Sequence, residues 1–304
     1  MNIPKPSWYK DNQILISNPQ TCGINKDGLE QYKVDPLTGE RSKTEIDDQL
    51  SESVDEILNR NIKNEHTSYI DVEKVKKSKV LVPQYHDKST LEQIEKAFTA
   101  NKDYTLKSLG QLVNEGYITL FSGHGSPSSD QRIGDIPYIK VSDIRAGNIN
   151  INPANMIPEE LAKKYWKGDK SNLEAYDLLS PERASKNIGE FSVLMPGQEN
   201  IVLTKEILII RSLRKEYIDQ FYLLWALSLK LVRNQWDRII LMQTNREDVG
   251  ERVLEILIPF PNSKKVADDS SEPFRTYYQS IEAARKNLNK SLKNAKYETH
   301  FRIE

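Results

Sequence analysis

IVLTKEILIIRS, residues 201–212, and EYIDQFYLLWALSLKLVRNQW, residues 216–236, decide how this chain folds. The first, rich in Ile, Val and Leu, is the strongest strand signal in the sequence. The second carries apolar residues on nearly every side and reads as one long buried helix. Working outward, YITLFSG (117–123) and IPYIKVSDI (136–144) read as strands, with GHGSPSSDQRIGD between them as a long loop. PEELAKKYW (158–166) opens a helix with proline in the position its first turn tolerates. LKSLGQLVNEG (106–116) is a short helix ending at a glycine. REDVGERVLEILIPFP (246–261) closes the unit at Pro259 and Pro261. Strands and helices alternate without a βαβ rhythm, so the expected class is α+β: a mixed domain followed by a C-terminal coiled-coil-like helix.

The flanks are simpler. NPQTCGINKDG (18–28) and DPLTGE (35–40) are turn or hairpin punctuation. IDDQLSESVDEILNRNI (46–62) has helical apolar spacing, YIDVEKVKKSKVLVPQY (69–85) suggests a strand or two, and STLEQIEKAFT (89–99) is a capped amphipathic helix. After the polar PNSKKVADDSSEP (261–273) a last helix is expected, with a narrow stripe through Phe274, Tyr277, Ile281, Leu288 and Leu292. That stripe fits either a coiled-coil seam with a partner or a helix lying on its own domain. Three segments follow: 1–100, 101–262, and 263–304 as linker and spacer or dimerisation helix.

Forty-three Lys and Arg balance 44 Asp and Glu, a net charge of −1. A nucleic-acid binder of neutral charge must gather its cations on one face, or leave part of the phosphate grip to a partner. One cysteine, Cys22, precludes an internal disulfide and points to a reducing compartment. The opening MNIPKPSWYK has no apolar core, and no run approaches a membrane span, so a cytoplasmic protein is expected.

Catalytic motifs are missing. SNPQ at 17–20 lacks the second proline and the aromatic residue of an amino-methyltransferase loop, and no glycine-rich cofactor turn precedes it. His66, His86, His124 and His300 are scattered, without metal-ligand spacing. Gly-His-Gly at 123–125 reads as a flexible connection in which glycine supplies positive φ. Glu199 and Glu206 flank a strand without the Asp and Lys partners a nuclease needs. Phe221, Tyr222, Trp225 and Trp236 lie at Leu-rich helical positions, which assigns them to a core rather than to a base-stacking platform.

Residues 105–262 resemble the DNA-specificity domain of type I restriction-modification specificity subunits. The similarity rests on six short motifs in order: LKSLGQLVNEG; SGHGSPSS leading to GDIPYIKVSDIRAGNI; LLSPERASKNIGEFSVL; ENIVLTKEILIIR; EYIDQFYLLWAL; and TNREDVGERVLEILIPFP. The polar LSPERASKN departs from the family, which usually has G-D-I-L there. Residues 17–58 resemble the tail following the catalytic domain of type I N6-adenine DNA methyltransferases, through C-G-I-N-K-D-G, the following Tyr and D-D-Q-L. Both a separate specificity subunit and the C-terminal part of a longer polypeptide fit.

The resemblance implies a domain that reads duplex DNA and positions a partner N6-adenine methyltransferase subunit, and an endonuclease subunit, without catalysis of its own. S-adenosylmethionine, Mg²⁺ and ATP would belong to the partners, and the chain itself would hold no cofactor and no metal. A second copy could pair through the C-terminal helix. The alternative is a fragment of a methyltransferase or nuclease with its own activity. Arg and Lys read guanine, Asn and Gln read adenine, and hydroxyls and cations grip phosphate. On those grounds the candidates are Ser128, Gln131 and Arg132 in the long loop, Lys140, Ser142 and Arg145 around the following strand, and Lys205 beside the strong strand. Two clusters complete the set: Arg183, Ser185, Lys186 and Asn187, and Gln243, Thr244, Asn245 and Arg246.

Overall fold

The expected strand over 201–212 is two strands in different sheets, Val202–Leu203 and Ile207–Ser212, parted around Lys205 and Glu206; the second is an inner strand of its sheet, and its side chains explain why it is apolar on both faces. Leu208 and Ile210 enter one hydrophobic core, while Ile207 and Ile209 enter another on the opposite face. A strand buried on both sides reads as a continuous hydrophobic run rather than an alternating one. In the computed structural model, which describes residues 5–6, 9–59, 62, 66–183, 185–241, 249–295 and 297, this strand, Ile207–Ser212, lies between Leu178–Pro181 and Ile118–Ser122, antiparallel to both. Ser192–Val193 adds the fourth strand, beside Leu178–Pro181.

The chain divides into two compact units, residues 1–89 and 90–304. In the first, Gln13–Ser17 pairs antiparallel with Thr67–Asp71. Ile16 and Ile70 meet Val75 of the helix Val72–Ser78 to form a small core. The 69–85 stretch thus yields the end of one strand and a helix, because Val72 and Val75 follow at helical spacing. DPLTGE is a hairpin loop between Tyr32–Val34 and Arg41–Ile46, and the Asp35 carboxylate accepts the Leu37 and Thr38 amides. The helix Gln49–Leu58 is capped by Asp48, which accepts from the Ser51 amide at 3.0 Å.

The second unit is closed by its own ends. Tyr104–Ser108 pairs antiparallel with Leu257–Pro261, in the register Tyr104↔Pro261 to Ser108↔Leu257. Ser108 caps the helix Leu109–Asn114 in a reciprocal pair with Gln111, which sends Leu109 and Leu112 into the core. A three-stranded sheet places Ile136–Ile139 between Met156–Ile157 and Val202–Leu203, the latter parallel to it. Trp166, on the helix Glu159–Trp166, covers this sheet and donates its indole N–H to the Ile201 carbonyl at 2.9 Å.

The expected single helix over 216–236 is two, Gln220–Ser228 and Lys230–Ile239, broken at an extended Leu229. The first is buried nearly all round. The second buries only Val232, Gln235, Trp236, Arg238 and Ile239, a one-sided set. The turn re-aims that stripe at the core and seats Gln235, whose amide clamps both the N–H and the C=O of Leu257. The aromatic residues Phe221, Tyr222 and Trp236 are buried, and Trp225 packs against the same cluster.

The last helix begins earlier than the polar sequence suggests. It runs Lys264–Lys293, capped by the Ser263 hydroxyl, with Pro273 inside it on the exposed side. Its contact stripe is Ala267, Ser271, Phe274, Tyr278 and Ile281, spaced four, three, four, three. Two of these are small residues of the supposed linker, so the true stripe buries Tyr278 and leaves Tyr277 54% exposed. Polar clamps reinforce it: Arg275 to Asp219 at 2.6 Å, Tyr278 hydroxyl to the Gly147 carbonyl at 3.0 Å, and Tyr176 hydroxyl to Glu282. Burial lifts the Tyr278 hydroxyl to about 12, so it stays a donor at neutral pH. Among the described residues no helix is long and apolar enough to cross a membrane.

Candidate nucleic-acid interface

The candidate residues follow strand ends and loops, and a few backbone bonds decide which of them meet. The Thr204 amide donates to the Ile139 carbonyl at 2.9 Å, bringing Lys140 beside Lys205 at the ends of the two parallel strands. The Ser126 hydroxyl lies 2.9 Å from that of Thr204. The Glu182 amide donates to Glu206, and the Ser122 hydroxyl donates to the Glu182 carboxylate at 3.0 Å. Lys140, Lys205, Ser126 and the start of the 183–187 loop therefore share one end of the sheets, with Glu182 and Glu206 among them.

Residues 185–187 of the next loop are held from within. The Ser185 hydroxyl accepts the Asn187 amide at 3.0 Å, and Lys186 is exposed. The loop ends on Gly189, whose φ of +83° lies in the left-handed region. Its amide donates to the Ser180 hydroxyl, and a Cβ there would come within 2.5 Å of the Trp236 ring. Val249 donates to the Glu182 carbonyl at 3.4 Å, so the chain after the 242–248 interval resumes beside this loop. Gln243, Thr244, Asn245 and Arg246 lie outside the described residues.

Other candidates are placed differently. Ser128 and Gln131 cap the short turn Ser129–Gln131, and Ser128 also donates to Asp130. Arg132 is half-buried: it donates to the Pro127 carbonyl at 3.1 Å and to Asn155 at 3.4 Å, and lies over the Tyr138 ring. This ties down the loop rather than offering a free fork to a base. Ser142 donates to Asp143, whose other oxygen accepts the Lys140 amide at 2.8 Å. Arg145 is exposed on the hairpin Ile144–Arg145/Asn148–Ile149, turned at Ala146 and Gly147 and held to the last helix through the Gly147 carbonyl. Of the proposed helix seam, Phe274 and Ile281 pack on the chain's own core, and Leu288 is 36% exposed.

The Gly-His-Gly segment is not the flexible connection its sequence suggests, and Gly123 and Gly125 do not adopt positive φ. A Cβ on Gly123 would meet the Thr204 carbonyl at 2.1 Å, and one on Gly125 the Tyr165 ring at 2.4 Å. The glycines permit close crossing of chains. His124 locks that crossing. Its Nδ1 accepts the Leu203 amide at 3.0 Å, so Nε2 carries the proton donated to the Ser171 carbonyl at 2.8 Å. Sequence reading missed this role, although a histidine between two glycines was its visible trace.

Burial lowers the His124 pKa, against a smaller opposing effect from the Ser171 carbonyl. The unfolded chain therefore binds this proton more readily than the folded one. The stability contributed by the neutral ring is complete above the ordinary value of 6.5 and is lost as pH falls toward the folded value. His124→Asn keeps an acceptor for Leu203 but cannot titrate. Urea midpoints should fall less between pH 7 and pH 5 in this variant than in the wild type. Equal falls would remove His124 from the account.

Among the described residues no group of three or more His, Cys, Asp or Glu side chains could hold a metal ion. No protein-family model matches the chain. No curated protein matches it. Among solved structures it is similar to the type I restriction-modification S subunit from M. genitalium, at 13% identity and TM-score 0.42, over 65% of this chain and 45% of that one. It is also similar to the HsdS subunit from Thermoanaerobacter tengcongensis, at 14% identity and TM-score 0.38, over 71% and 49%. A third similar chain comes from work on complex assembly and conformational transition of the type I R-M system, at 13% identity and TM-score 0.38, over 81% and 55%. This chain thus spans about half the length of the solved proteins it matches.

Proposed function

We propose that the chain is a DNA target-recognition component of a type I restriction-modification system, working in the cytoplasm. In this reading it carries no catalytic centre. It positions an N6-adenine methyltransferase, and an endonuclease, which bring S-adenosylmethionine, Mg²⁺ and ATP. The observation that carries the reading is the fate of the six ordered motifs. Their described residues fold as one unit whose first and last strands pair, and they deliver Lys140, Lys205 and the start of the 183–187 loop to one end. Glu182 and Glu206 dilute the charge there, as the net charge of −1 already implies. Phosphate grip by this chain alone is therefore weak, and the partner supplies the remainder.

The test is duplex binding by fluorescence anisotropy across a salt series. Lys140→Ala, Lys186→Ala and Lys205→Ala should each flatten the salt dependence by about one unit of log–log slope if the lysine meets phosphate. Affinity should drop by a similar factor on every duplex. Unchanged slopes in all three variants would sink the proposal.

A further inference from the structure

Residues 20–59 have no hydrophobic core of their own. Only Gly23 and Ser53 are buried in this stretch, although it forms a hairpin and a ten-residue helix. The helix turns Ser53 inward, half-buries Ile57 and leaves its other apolar positions outward: Leu50 is 46% exposed, Val54 45% and Leu58 69%. On the hairpin Leu37 is 95% exposed. Backbone pairing and the Lys33–Glu52 ion pair at 3.2 Å hold the motif together. A two-stranded hairpin without a covered apolar face is marginal in water, and clustered exposed apolar residues mark an interaction surface.

The charge of the motif selects what can cover it. Residues 20–59 carry ten Asp and Glu against four Lys and Arg. A nucleic acid or an anionic membrane would be repelled, and so would the same face of another copy. A fitting partner is apolar and basic. The far end of the last helix has that chemistry. Past Glu282, residues 283–295 hold Arg285, Lys286, Lys290 and Lys293 with no acidic residue, around Leu288 and Leu292 one turn apart. Nearly all of this end is exposed.

We propose that the acidic apolar face of helix Gln49–Leu58 docks the basic distal turns of the last helix of a second copy. The contact is head-to-tail, so it can close into a ring or extend. It is small, which places it among weak, concentration-dependent interfaces. It stands independently of the DNA reading, because neither surface includes a candidate DNA contact.

Sedimentation velocity of the full chain over a concentration series tests it. The wild type should associate reversibly and lose association at high salt. Leu50→Asp with Val54→Asp should weaken association by about tenfold or more. These residues are exposed, so circular dichroism should confirm an intact fold. Asp55→Lys with Glu56→Lys should weaken it similarly, as should Lys290→Glu with Lys293→Glu. Mixing the two charge-reversed proteins should restore association. A wild type that stays monomeric at every concentration overturns the proposal. So does association indifferent to all three sets of substitutions, or a mixture that fails to recover.

Discussion

Gly189→Ala is expected to lower the unfolding free energy by roughly 3–5 kcal/mol, a large part of a typical domain's stability. Two costs combine. A φ of +83° strains any residue with a Cβ, and that Cβ would press on the Trp236 ring at 2.5 Å. Trp236 is fully buried and rests edge-on against Phe191, so it cannot swing away. A double-mutant cycle separates the costs. Trp236→Leu should recover the steric part in the Gly189→Ala background and leave the backbone strain. Urea unfolding of the four proteins measures this, and additive single effects would show that the ring and the glycine do not press on each other. Gly189 follows the 183–187 loop closely, so under the proposed function DNA affinity should fall in the same variant.

Asp177→Ala should cost about 3–5 kcal/mol, because it strands a largely buried cation. Asp177 is completely buried and grips Arg211 through both carboxylate oxygens, at 2.7 and 2.6 Å. Arg211 also donates to Glu174 at 3.0 Å and to the Asn172 carbonyl at 2.8 Å. The hydrogen bond and charge of Asp177 raise the guanidinium pKa further, outweighing the effect of burial. Arg211 cannot neutralise itself, so loss of Asp177 leaves the charge paired only with the half-exposed Glu174. Asp177→Leu with Arg211→Met should be far less destabilising than Asp177→Ala alone, since replacing both members removes the desolvation problem. Thermal unfolding distinguishes the outcomes. A single variant as stable as the double would mean that water reaches the guanidinium.

What the sequence revealed depended on whether a signal was local. The strand at 207–212 and the helices that begin at 109 and 159 follow from residue type and spacing, although the single strand expected over 201–212 is broken in two around Lys205 and Glu206. The break at Leu229 was hidden, because an apolar residue in an apolar run gives no sign that the following stripe must rotate. The start of the last helix was hidden too, because Ala267 and Ser271 contact the core through small side chains that carry no hydrophobic signal. For the candidate site, Arg and Lys could be located by type, but not by what else they bind. Arg132 is spent on Pro127 and Asn155, whereas Lys186 and Lys205 are exposed. The convergence of Lys140 with Lys205 depends on parallel pairing between strands more than sixty residues apart, which no local pattern records.

Selection of duplexes from a random-sequence pool tests the central claim most directly. Bound at low salt and sequenced, the retained DNA should converge on one recurrent target. The combined Lys140→Ala, Lys186→Ala and Lys205→Ala protein should retain less DNA but the same target, since phosphate contacts set affinity and base contacts set sequence. A retained pool as random as the input, in the wild type and at every salt concentration that permits binding, would contradict the assignment of this chain to sequence recognition.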